Sequence, residues 1–91
     1  MSEESQAHRE RLIHLLEHAN KQVRSCGFGE RFATISLAKA DGYNAIYHRK
    51  EIERNRTRAE LFRKEAAALE FAIDLIDRWE DAAADARFED R

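Results

Sequence analysis

Proline is absent from all 91 residues, so nothing in this chain obliges a helix to kink or stop. Cysteine occurs once, as Cys26. A lone cysteine forms no internal disulfide, and neither a C-x-x-C pair nor a Cys/His zinc spacing is present. A disulfide-stapled extracellular scaffold and a zinc-nucleated fold are thereby excluded, and a reducing cytoplasm is the expected setting. Long apolar runs are missing too: none approaches the roughly 20 residues that span a bilayer. The opening Met1-Ser2-Glu3-Glu4-Ser5 is acidic and polar where a signal peptide is basic and then apolar. Neither export nor a membrane partner is expected.

What the chain does have is helix-forming material in quantity. It is 43% hydrophobic and 37% charged, a balance that folds, since a disordered chain has fewer aliphatics and a larger charge imbalance. Its net charge of -2 is unevenly laid out. Residues 1–47 carry six acids and six bases, residues 48–64 seven bases and three acids, and residues 65–91 nine acids and three bases. The sequence is therefore basic in its middle and acidic toward its end.

Leu12, Leu16, Ala19 and Val23 recur at three and four, with Leu15 and Cys26 on the flank, and predict a first helix capped by Ser2 or Ser5. Gly27 is its expected stop, because glycine accepts the left-handed conformation of a helix end. Residues 28–48 support two readings. The β-branched stretch around Ile35 and the Asp41-Gly42 pair suit a β-hairpin over about 31–48. Phe32, Ile35, Tyr43, Ile46 and Tyr47 also suit helical spacing, with Asp41 as an N-cap. Helix is preferred because Ala45, Ile52, Ala59, Ala66 and Ile73 keep a seven-residue repeat through the second half, poor only at His48 and Asn55. Thr57-Arg58-Ala59-Glu60 has capping-box form, so the long helix has an alternative start at Thr57. From there to about Arg87 the chain reads as helix.

The resulting expectation is an all-α protein: one helical domain over residues 1–91, a helical hairpin or three-helix unit with a long C-terminal helix. The alternative is α+β, with the hairpin at 31–48. The long helix carries Phe62, Ala66, Leu69, Ile73, Ile76 and Ala83 on one face, with Leu61, Ala68, Leu75 and Trp79 beside it and Phe71 further round. One neighbouring helix cannot cover so wide an arc. A homodimer completing a four-helix bundle is the expected closure.

Candidate chemistry is sparse. His14-Leu15-Leu16-Glu17-His18 spells H-x-x-E-H and over those five residues resembles the inverzincin metalloproteases, in which paired histidines hold zinc and the glutamate acts as base. Here the histidines lie opposite the Leu12/Leu16/Val23 face, and a short chain leaves little from which to build a third ligand and a cleft. A solvated helix turn explains the string. Cys26 has no histidine at an identifying spacing, and Gly27-Phe28-Gly29 lacks the third glycine and the lysine of a phosphate loop. No enzyme activity, cofactor or metal is expected.

The expected function is binding: an adaptor, assembly factor or inhibitor of a larger protein partner. Phe71, Leu75 and Trp79 are its candidate apolar anchors and Arg54, Arg56 and Arg58 its charged contact. The alternative is a small nucleic-acid-binding or regulatory protein. It would use Tyr43 and Tyr47 to stack on bases and Arg49, Lys50, Arg54, Arg56 and Arg58 to neutralise phosphates. Asp74, Asp77, Asp81 and Asp85 line one polar side and offer a head-to-tail charge match between two copies.

Overall fold

A computed structural model describes residues 2–89, with the side chains at 85 and 87–89 outside the described set. Two helices make up nearly all of it: α1, Glu3–Ala38, and α2, Gly42–Glu89. The α1 helix begins where Ser2 accepts a hydrogen bond from the Ser5 amide at 3.1 Å, and Glu3 and Glu4 place negative charge against the positive end of its dipole. At its other end the Lys39 and Ala40 amides bond back to the Ser36 and Leu37 carbonyls. Gly42 then takes a φ of +54°, the left-handed conformation that glycine adopts without penalty, and the chain reverses. The Asp41-Gly42 turn thus joins two antiparallel helices. No strand is present among the described residues.

Two expected boundaries are not where the sequence put them. Gly27 does not end the first helix, which runs eleven residues further to Ala38. Thr57 does not begin the second, which is already helical from Gly42. Both departures have one cause: the apolar seam continues across these sites, and tertiary contact outweighs a local stop signal. The segment from 28 to 48 contributes the end of α1, the turn and the start of α2, rather than a third helix or a β-hairpin.

The seam is a strict heptad on both helices. Ala19, Cys26 and Ala33 are buried on α1, and Ala59 and Ala66 on α2. Half-buried Leu12, Leu16 and Val23 flank the first series, and half-buried Ile52, Phe62, Leu69, Ile73 and Ile76 the second. A period of seven keeps side chains facing one neighbour over many turns, as in a coiled coil. Small residues at the buried positions let two helix axes come to about 8 Å, the close end of the usual range. The result is a rod of 75 × 18 × 13 Å with a narrow core.

Candidate protein interface

The two long sides of this rod differ in chemistry. One is closed by ion pairs. Arg9 Nε donates to Asp77 Oδ1 at 2.8 Å, and its second nitrogen reaches Oδ2 at 3.3 Å, a bidentate contact. Arg56 Nε donates to Glu30 Oε1 at 2.7 Å. The two pairs lie three heptads apart on each helix, so they fix one antiparallel register. The hydrogen bond from Arg9 holds the Asp77 carboxyl below its ordinary range against opposing desolvation, and the same bond raises Arg9. On this side a shallow groove between the helices is lined by Thr34, Leu37, Arg49, Ile52, Glu53 and Arg56.

On the opposite side large apolar side chains stand exposed. Near the free ends Leu75, Ile76 and Trp79 border a depression with Ser5 and His8, and Trp79 is 75% exposed. Near the turn Phe32 and Tyr47 border another, of about 350 Å³, with Ser25, Gly29, His48 and Asn55; Phe32 is 73% exposed. Between these ends Leu15 and Leu61 are also exposed. Heptad spacing carries the α2 residues onto one stripe: Leu61, Ala68 and Leu75 stand seven apart.

Asn55 occupies a seam position where the repeat looked poor. Its amide donates to the Glu51 carbonyl at 2.9 Å, and its side chain lies over Gly29. A Cβ built on Gly29 would stand 2.7 Å from Asn55 Oδ1. Gly29 is therefore a close-approach glycine inside a helix. The spacing of Gly29 from Cys26 and Ala33, on the same contacting face, was the available clue.

The predicted site residues separate in space. Leu75 and Trp79 lie on the open apolar side, and Phe71 is one helical step further from the seam at 64% exposure. Arg54 pairs with Glu51 on its own helix at 2.6 Å, whereas Arg56 faces the other side and is engaged by Glu30. Arg58 shares the Arg54 side by its four-residue spacing. Of the nucleic-acid candidates, Arg49 and Arg56 border the ion-paired groove, Tyr47 the open side, and Tyr43 and Lys50 point away from the seam. The basic segment is thus split around α2: Lys50, Arg54 and Arg58 line one shallow groove together with Glu51 and Glu53, while Arg49 and Arg56 lie on the ion-paired side. Among the acids, Asp77 is taken by Arg9 and Asp74 by Arg78 at 2.9 Å, while the side chain of Asp85 lies outside the described set.

His14 and Glu17 of the H-x-x-E-H string stand in solvent 3.7 Å apart. Among the described residues no cluster of three His, Cys, Asp or Glu side chains is close enough to hold a metal ion. No described helix is long and apolar enough to cross a membrane. No protein-family model matches the chain, and comparison with the curated proteins and with the solved structures returns no match.

Proposed function

We propose that this chain is a non-enzymatic helical interaction module, presenting the open apolar side of its hairpin to another protein chain. It serves as an adaptor, assembly factor or inhibitor of a larger partner, or through a second copy, and its single free cysteine suits a reducing cytoplasm. The observation that carries the reading is the segregation of large apolar side chains. Leu61, Leu75, Trp79, Phe32 and Tyr47 gather on one side of two helices while ion pairs close the other. Exposed aromatics and leucines clustered on one side are the usual anchors of protein interfaces. The nucleic-acid reading has less support: Arg49 and Arg56 lie on a different side from the row Lys50, Arg54 and Arg58, Glu51 and Glu53 stand beside that row, and two of the arginines already pair with glutamates.

The test is site-specific photo-crosslinking in cells. A benzophenone side chain replacing Leu75 or Trp79 is expected to capture protein, and the same group replacing Ile46 on the other side of α2 is not. Capture of nucleic acid at position 75, or equal protein capture at 46 and 75, would overturn the proposal.

A further inference from the structure

We infer that the open side is covered by a second copy of this chain, two hairpins stacking into a four-helix bundle about a dyad at Ala68. The inference rests on the interaction-module reading and names its partner.

Area is the first argument. A compact monomer of this mass exposes about 5,500 Å². This chain, at 10.6 kDa, exposes 7517 Å². The excess is about 2,000 Å², over twice the ~800 Å² that each partner loses in a standard interface and in the range of obligate homodimers. A two-helix rod has no third layer in which to hide Trp79, Phe32 or Leu61. Stacking on a second rod supplies that layer.

Shape is the second. The exposed apolar residues come from both helices and from both ends of the rod. A single docked helix fills one groove and leaves the flanks wet. A second hairpin has the same width and length, and face-to-face stacking of two hairpins is how four-helix bundles close.

Symmetry is the third, and it selects the dyad. Leu61 and Leu75 are placed one heptad either side of Ala68. When two α2 helices run antiparallel with Ala68 on the axis, Leu75 meets Leu61 of the second copy, and Trp79 comes level with Thr57 of the second copy, within reach of its neighbour Arg58 for a cation–π contact. An isologous dimer makes each contact twice. Ala68 is small and exposed, so the axes can approach at the crossing point. Between its apolar ends, α1 carries Arg11, His14, His18 and Lys21 on this side. Arg11 and Lys21 are charged and keep that stretch hydrated, so the closest contact falls on α2.

Two experiments test the dimer. Light scattering across a concentration series is expected to give twice the 10.6 kDa chain mass at low and at high salt, because apolar contacts are not screened. Leu75→Glu is expected to raise the dissociation constant at least tenfold, and Ile46→Glu, a similarly exposed position on the other side, to leave it unchanged. Circular dichroism checks that both variants stay helical. In a Cys26→Ala background, Ala68→Cys is expected to oxidise to a covalent dimer and Ile46→Cys to remain a monomer. A monomeric mass at every concentration overturns the inference, and capture of a different protein at position 75 would still leave the module reading in place. A dimer that high salt dissolves, that survives Leu75→Glu, or that does not cross-link through residue 68 also overturns it.

Discussion

Arg9 and Asp77 are 68 residues apart in sequence, and their contact ties the beginning of α1 to the far end of α2. Its worth depends on pH in a direction set by Asp77. The folded carboxyl titrates below its ordinary value because Arg9 hydrogen-bonds the ionised form. Its contribution is therefore complete above about pH 4, the unfolded carboxylate range, and is lost as pH falls through the lower folded value. Asp77→Asn should melt below the native protein at neutral pH, and the gap should close as pH drops below that range. Melting curves followed by circular dichroism read this directly; a constant gap would assign the effect to packing instead. Asn55 is the other residue whose role is invisible one position at a time. It looks like a flaw in an apolar repeat until Gly29 is placed beneath it.

At the scale of the helix, Gly27 and Gly29 are two nearly adjacent glycines with different meanings. A Cβ on Gly27 meets nothing within 4 Å, while one on Gly29 collides with Asn55. Gly27→Ala should stabilise the protein by about 0.5–1 kcal/mol, the ordinary helix-interior gain. Gly29→Ala should gain less or destabilise, since Asn55 must leave its bond to Glu51, and an Asn55→Ala background should restore the missing gain. Denaturant unfolding of the native protein and these variants gives the coupling, and equal gains at both glycines would show that Asn55 imposes no constraint. The helices themselves were legible in sequence. Ala45, Ile52, Ala59, Ala66 and Ile73 announced the α2 seam, and Leu12, Leu16, Ala19 and Val23 that of α1. The boundaries were not, because glycine in a helix and glycine ending one are the same letter. Likewise Asp41-Gly42 marks a reversal equally well between strands and between helices; only the periodicity on either side tells them apart.

The whole molecule is a rod with a radius of gyration of 20.7 Å, against about 12 Å for a compact chain of this length. Among the described residues the buried ones are four alanines and a cysteine, which contribute little hydrophobic free energy relative to the conformational entropy of ordering the chain. Such a molecule is expected to draw stability from association, so its melting temperature should rise with protein concentration. Melting curves over a wide dilution series measure this, and a concentration-independent midpoint would mean that the hairpin is stable alone. Trp79 and Leu75 were legible as candidate anchors because bulky side chains beside a helical seam are visible in one helix. Leu61 was legible beside them on the same helix, whereas Phe32 and Tyr47 were not associated with them, since they sit near the turn and no local spacing relates them to residues near the free ends.

The sequence alone determined that the chain is helical and which positions form the seam of each helix, because propensity and a period of seven are local properties of neighbouring residues. Only the tertiary structure decided which side of the rod is closed and which is open. That depends on the antiparallel register, which sets Arg9 against Asp77 and Glu30 against Arg56, and so leaves Trp79 near one end and Phe32 and Tyr47 near the other on the opposite side. Register is a relation between distant segments, fixed by packing and charge pairing across the seam, and no window along the chain contains it.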